Sequence, residues 1–410
     1  MAETALRQHI ALWRSVVRPD VRARIAADVE RVTATGMFTG GPFTGRLEAS
    51  VGAAFGRHAV AVRSGMDGME LLLETLCGRR RRVMVPGNCF ASIPALAARF
   101  RAEVTAVPVE DVHLAVSPEV LRWPLDDRPV VVWIHHGGMV AAHAERTIAA
   151  LRARGCTVVE DCAYVLADTR TPRGPGTWGD AALLSFAPTK PLSGPGGGAV
   201  LTADARLAQE ITARRSHSGQ EQRWAEGEVF LRNRAMGELD AVVAYHQWRD
   251  LDVKRQSLDE IAGTYLAEFA RLGLDVLPHG RVPQPSWGRL CVDLGGAMSA
   301  VPARQALADR GIGGAVMFET PWFDYQGLAG CRPSLADDEQ PWGELRALMG
   351  RTLLVPFHPA LSPAECRAVA DALSDVLGAG TEHHEGGRPT RTLSRVPHLP
   401  GRKSSSWSHP

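Results

Sequence analysis

The chain has 410 residues, with 46 Lys and Arg against 45 Asp and Glu and a formal net charge of +1. That balance argues against a nucleic-acid or anionic-membrane partner, since binding a polyanion rests on a cationic surface. No apolar run reaches the ~20 residues of a transmembrane helix, "MAETALRQHIALWRSVVRPD" lacks the apolar core of a secretory leader, and seven scattered cysteines without a CxxC suit a reducing compartment; the expectation is a cytoplasmic protein with no membrane contact.

Taken in chain order, residues 1–20 read as an N-terminal segment. Seven continuous, β-branched apolar runs follow: "AVAVRS" (59–64), "RVMVP" (82–86), "EVTAVPVE" (103–110), "PVVVWIHH" (129–136), "TVVEDCA" (157–163), "AALLSFAP" (181–188) and "GAVLTA" (198–203). Unbroken runs of this kind are strands buried on both faces. Helix patterns lie between them at 66–76, 89–100 and 143–155. The alternation predicts an α/β fold with a mostly parallel central sheet covered by helices on both faces. A long amphipathic stretch over 235–273 closes a large domain of 21–250 and opens a smaller α+β domain of 251–378. In the latter "GLDVLP", "GRLCVDLGG" and "RTLLVPFHPA" read as strands, and "PARQALADRG" and "SPAECRAVADALSDVL" as helices. Residues 379–410, rich in Gly, Pro and Arg and ending in "SSSWSHP", have the composition of a disordered tail with a tag remnant.

Ligand sites in such sheets lie at the carboxyl ends of the strands, and the unusual residues cluster there. Ser64-Gly65-Met66-Asp67-Gly68 leaves a strand and enters a helix, where free N–H groups and a glycine suit an anion; an ordinary strand-to-helix turn has the same residues. Phe90 follows the next strand and either stacks on a flat ligand or fills the core. Glu160-Asp161 ends a buried strand, so each acid needs a partner, an arginine or helix N-terminus in one reading and a cationic ligand atom in the other. Lys190 sits between the apolar run at 181–188 and "GPGGGAV", a setting that lowers an amine's proton affinity and makes it a candidate nucleophile. An aspartate for a pyridinium nitrogen, a lysine for an aldehyde and a phosphate nest together describe a site for pyridoxal 5′-phosphate. A nicotinamide site is disfavoured, because "GPGGGAV" precedes a strand whereas the dinucleotide fingerprint follows one and opens a helix.

Over about 35–375 these motifs resemble the sugar-aminotransferase family of fold-type I pyridoxal phosphate enzymes, the DegT/DnrJ/EryC1/StrS type. "AVRSGMDGMELLLETL" is similar to its phosphate segment, implying cofactor contacts from Gly65, Met66 and Asp67. "VPGNCFASIPAL" implies that Phe90 stacks on the cofactor ring, and "VVEDCAYVLAD" that Asp161 is the pyridinium partner. "GDAALLSFAPTKPL" implies that Lys190 bonds the cofactor aldehyde and Ser185 the phosphate. "FLRNRAMGELDAVVAYHQW" implies that Asn233 reaches the phosphate of a neighbouring subunit, hence a homodimer with shared sites whose contacts include the glycines after Lys190. The chain departs from the family at Met66 (threonine there), Tyr164 (glutamine), Gly137 (tyrosine) and Ala235 (arginine). Cofactor positions are kept while substrate-side positions change.

The resemblance implies an aminotransferase moving an amino group from an amino acid, glutamate or glutamine, to a keto-sugar or keto-cyclitol in a biosynthetic, secondary-metabolite pathway. Two alternatives remain at this stage: another pyridoxal phosphate reaction (elimination, decarboxylation or aldol-type exchange), motivated by Tyr164 and Gly137, and a non-catalytic relative. Tyr164, His135 and His217 are the candidate substrate contacts, with a structural histidine as the other reading of His135 and a solvated loop that of His217; no metal site is expected.

Overall fold

A computed structural model describes residues 9–77, 82–110, 113–166, 173–216, 232–274, 286–295, 298–328 and 340–381. All seven expected strands of the main sheet form: β1 (His58–Val62), β2 (Arg82–Pro86), β3 (Glu103–Val107), β4 (Val130–Ile134), β5 (Thr157–Asp161), β6 (Ala181–Ser185) and β7 (Gly198–Thr202). They lie in the order β1-β7-β6-β5-β4-β2-β3. Pairing is parallel from β3 through β2, β4 and β5 to β6, while β7 runs antiparallel to both β6 and β1. Every residue of β4 and β7 is buried, as continuous apolar runs require when helices cover both faces. The expected bounds match β2 and overrun β3, β4, β5 and β6, whose runs continue into the turns at their carboxyl ends.

The second sheet has three antiparallel strands in the order β8-β10-β9, with β8 spanning Leu290–Asp293, β9 Ala315–Val316 and β10 Thr352–Val355. The strand expected at "GLDVLP" lies, beyond Leu274, outside the described residues. The amphipathic stretch over 235–273 is not one helix but two, Glu238–Arg249 and Leu251–Leu272, which meet at Asp250. The buried Asp250 carboxylate accepts from Arg18 Nε at 3.0 Å and Nη2 at 2.7 Å, so the joint is tied to the start of the helix Pro19–Thr35. Periodicity carries through the joint, which is why the break does not show in the pattern. One apolar cluster joins both sheets' surroundings, from Phe43, Leu47 and Ala182 to Leu290, Val355 and Leu373. The last helix extends to Thr381, past the expected end of the smaller domain at 378.

A buried acid anchors the helix Pro42–Phe55. Its first turn has no side-chain cap of its own. Glu238, fully buried, takes that place by accepting from Phe43 N at 2.8 Å, Thr44 N at 2.9 Å and the Thr44 hydroxyl. Orphan amides at a helix start need such acceptors. Replacing Glu238 by Ala should therefore lower the free energy of unfolding by about 2–3 kcal/mol, since it leaves buried donors unpaired; urea titration checks this, and a loss below about 0.5 kcal/mol, the usual range for surface positions, would refute the capping role.

Candidate active site

The carboxyl ends of β1, β5 and β6 meet the start of β7. After β1, the Ser64 hydroxyl donates to Asp67 Oδ2 at 2.6 Å and accepts from Asp67 N at 3.0 Å, and Arg63 Nη2 pairs with Asp67 Oδ1 at 3.2 Å. Gly68 N bonds Ser64 O at 3.1 Å. The helix Gly65–Cys77 thus starts on a closed ring, and the amides of Gly65 and Met66 precede the first helical hydrogen bond. The Asp67 carboxylate, expected among the cofactor contacts, is committed to this ring; it shapes the turn and offers no donor to a phosphate. Met66 packs its side chain against the apolar cluster of Val62, Leu183 and Val200.

Gly65 lies directly on Ser185 at the end of β6. A Cβ at Gly65 would stand 2.9 Å from Ser185 Cβ, and one at Gly198 would stand 2.8 Å from Gly65 N. Within the chain, the glycine stretch after Lys190 serves the close approach of three strand ends. Amides and a hydroxyl on this spot make an anion nest.

At the end of β5, neighbouring acids face different surroundings, as strand alternation dictates. Glu160 is fully buried and accepts from His135 Nε2 at 3.1 Å, Gly176 N and Trp178 N at 2.8 Å, and Gly179 N at 2.6 Å. Burial alone would raise its carboxyl, but the His135 bond, the His135 charge and the backbone donors outweigh it and hold the group below the usual range. His135, 1% exposed, gives Nε2 to this network, while its buried Nδ1 has no partner among the described residues; this burial favours the structural reading over the substrate contact. His135, Glu160 and Cys162 bring ligand atoms within 4.8 Å of one another. The Glu160 oxygens already accept four hydrogen bonds, so the grouping is part of the fold and not a metal centre.

Asp161 faces Lys190 instead. Its Oδ1 accepts from Ala163 N at 2.9 Å. Withdrawal from water raises its carboxyl, and Ala163 N–H, Lys190 and His135 pull it back only in part. A cationic ring N–H opposite would lower it and favour the ionised form, which fits a pyridinium. Lys190 stands on the turn after β6, with its own N–H bonded to Ala187 O at 2.9 Å and its Nζ 3.5 Å from the centre of the Tyr164 ring. Tyr164 Oη accepts from Arg289 Nη2 at 2.8 Å. Burial works to raise that phenol, but Arg289 and Lys190, through charge and hydrogen bonds, bring it below the ordinary range. Phe90 presents an exposed ring, 57% accessible, at the end of β2. An aromatic left out of the core beside such a cluster suits a flat partner.

Asn233 is exposed, and its Oδ1 accepts from Ala235 N at 3.1 Å; it belongs to a segment whose Arg234 O takes Arg63 N at 2.7 Å. His217 lies outside the described residues. Arg289 was not singled out from the sequence; its partners come from separate segments, and no motif marks it.

The sequence profile of the DegT/DnrJ/EryC1/StrS aminotransferase family matches residues 19–374. The chain belongs to this family. Among relatives, it is 28% identical over 369 residues to the erythromycin biosynthesis sensory transduction protein EryC1 of Saccharopolyspora erythraea, covering 88% of this chain and 96% of that protein. It is 28% identical over 371 residues to the dTDP-3-amino-3,4,6-trideoxy-alpha-D-glucose transaminase of Streptomyces venezuelae, covering 87% and 93%. Of solved structures, S. venezuelae DesV superposes with a TM-score of 0.77 at 25% identity over 90% of this chain and 98% of that one. PseC of Helicobacter pylori shares the fold with a TM-score of 0.78 at 16% identity, covering 91% and 100%. Family membership makes aminotransfer the chemistry of the site and pyridoxal phosphate its cofactor; another reaction class or a non-catalytic role has no support here.

Buried histidines make the scaffold sensitive to acid. His136, edge-on to Phe318 at 5.5 Å, is pushed down to about 3 by burial and then by His135. Burial also lowers His143 and His358. For each, the folded value lies below the unfolded one, so the unfolded chain binds more protons and stability falls as pH falls through that window. The melting temperature should drop between pH 7 and pH 5, and His136→Asn should flatten the slope; an unchanged slope in the variant would show that His136 is not a source of it.

Proposed function

We propose that this enzyme transfers an amino group from an amino acid, glutamate or glutamine, to the carbonyl of a nucleotide-linked keto-sugar, as a cytoplasmic homodimer in a secondary-metabolite pathway of the antibiotic type. The reading is carried by one observation: Asp161 and Lys190 stand at the ends of the paired strands β5 and β6, beside the nest formed by Gly65 and Ser185. Relatives named as transaminases of dTDP-linked and UDP-linked sugars support the substrate class. Among the described residues no helix is long and apolar enough to cross a membrane.

Pyridoxal phosphate supplies an electron sink and carries the amino group between substrates. The roles of this chain's residues follow. Gly65 and Met66 amides and the Ser185 hydroxyl bind the phosphate. Phe90 covers one face of the ring. Asp161 holds the proton on the ring nitrogen through a charge-assisted bond, which is why a neutral amide cannot replace it. Lys190 Nζ would hold the aldehyde and, as a free amine, would take the donor's α-proton as general base. Borohydride should fix the cofactor's mass on the Lys190 peptide, and Lys190→Ala should abolish the label; a label on another lysine would overturn the assignment. Asp161→Asn should retain cofactor yet lose turnover by at least a hundredfold, on the order of a lost charge-assisted contact.

Asn233 supports the shared site. It is exposed, with its amide nitrogen turned to no partner among the described residues. In the dimer it reaches the phosphate of the other subunit, and its contact matters more because Met66 supplies no hydroxyl. Loss of one hydrogen bond to a charged phosphate should weaken cofactor affinity roughly ten- to a hundredfold. Mixing Lys190→Ala with Asn233→Asp protein should restore activity, since heterodimers put both lesions in one site. Mixed subunits that exchange without recovery, or a fully active monomer, would sink the shared site.

A further inference from the structure

Arg289 enters the active site just before β8 and is held on three sides. Its guanidinium carbon is 4.7 Å from the centre of the Tyr164 ring and 5.1 Å from that of Trp13. Its Nη2 donates to Tyr164 Oη at 2.8 Å, and its backbone N–H bonds Gly137 O at 2.9 Å. The segment approaches so closely that a Cβ at Gly288 would stand 2.1 Å from Tyr164 O. Gly137 sits against this segment at φ +60°, where a Cβ would lie 3.6 Å from Arg289 Cβ, in ordinary contact. Stacking and hydrogen bonding fix a planar fork before any ligand arrives, which lowers the ordering cost of binding.

Among the described residues the Arg289 charge has no counter-ion: no carboxylate lies within ion-pair distance of it. The neighbouring opening beside Lys190 is lined by Arg14, Lys254 and His358 and by no Asp or Glu. Positive charge left uncompensated next to reacting atoms selects an anion.

We propose that Arg289 binds the α-carboxylate of the amino donor and so sets donor recognition. The inference rests on the aminotransferase reading above. The reach agrees with it. Lys190 Nζ is 3.5 Å from the Tyr164 ring centre and the guanidinium carbon 4.7 Å from the same centre, so the two are separated by no more than the sum of those distances. An amine placed where Nζ stands, with its carboxylate paired to a guanidinium, needs a span of roughly 6 Å from amine to guanidinium carbon. The fork offers a carboxylate two parallel bonds. Tyr164 then acts as a positioning residue, and its phenol, kept low by the same cations, remains a good acceptor for Arg289.

The test uses holoenzyme and its Arg289→Leu and Arg289→Lys variants. With L-glutamate and L-glutamine, loss of the cofactor's visible band reports the donor half-reaction. Arg289→Leu should raise the half-saturating donor concentration at least tenfold, with a smaller change in plateau rate, and Arg289→Lys should recover part of the loss. With 4-aminobutyrate, which lacks an α-carboxylate, variant and parent should bleach alike. By calorimetry, glutarate should bind the parent and bind Arg289→Leu at least tenfold more weakly, while UDP binding stays unchanged. If glutamate and glutarate bind Arg289→Leu as they bind the parent, the proposal fails. If UDP binding is lost and glutarate binding kept, Arg289 belongs to the acceptor's diphosphate and the proposal also fails. Should the parent not bleach with either amino acid, the donor reading fails, and glutarate binding still decides whether Arg289 is a carboxylate site. If Arg289→Leu melts early, Arg289→Lys, which keeps charge but loses the fork, decides through the same glutarate measurement.

Discussion

A single buried carboxylate holds the strand ends in register. Glu160 has no access to water, and its charge is offset by His135 from the end of β4 and by three amides from the approach to β6. An ion in that setting is tolerable only with every lone pair engaged. Satisfying it draws β4, β5 and the 176–179 turn to fixed positions, and with them the next residue, Asp161. Arg57 joins the same region by donating to Gly179 O at 2.9 Å.

Adjacent acids therefore do opposite work. Glu160 is charged and satisfied, and so it is structural. Asp161, partly buried, accepts one backbone N–H and faces Lys190, in a setting that raises its carboxyl. Strand alternation alone separates the two roles. The same logic distinguishes the cations: Arg63 spends itself on Asp67, and Arg18 on Asp250, while Arg289 stacks on aromatic rings and keeps its charge.

The main sheet was legible in the sequence because its strands are buried on both faces and read as unbroken apolar runs. Asp161, Lys190, Phe90 and Ser185 could be named as candidates because strand-end motifs set them in a recognisable order. Helices such as Pro42–Phe55 were not, since the residue that caps that helix, Glu238, is remote in sequence. The joint at Asp250 escaped notice because an amphipathic period survives a one-residue break. His135 looked like a site residue through its place at a strand end; only its partner, Glu160, reveals it as part of the framework. Arg289 gave no signal, because its meaning lies in Trp13 and Tyr164, which tertiary contact alone brings to it.

β6 and β7 pair from Ala181 with Thr202 to Ser185 with Gly198, so the loop bearing Lys190 leaves and returns on one side of the sheet. Its ends are clamped by Phe186 N on Gly197 O at 2.9 Å and Gly194 N on Phe186 O at 2.8 Å. Lys190 thus hangs from a closed hairpin, whereas the wall beside it is assembled from the distant stretches at 13–16 and 286–289. Such a division lets descent and engineering treat the two as separate modules. The hairpin can be inherited intact while the wall is exchanged between relatives, and a new substrate can be acquired without rebuilding the machinery that handles the cofactor.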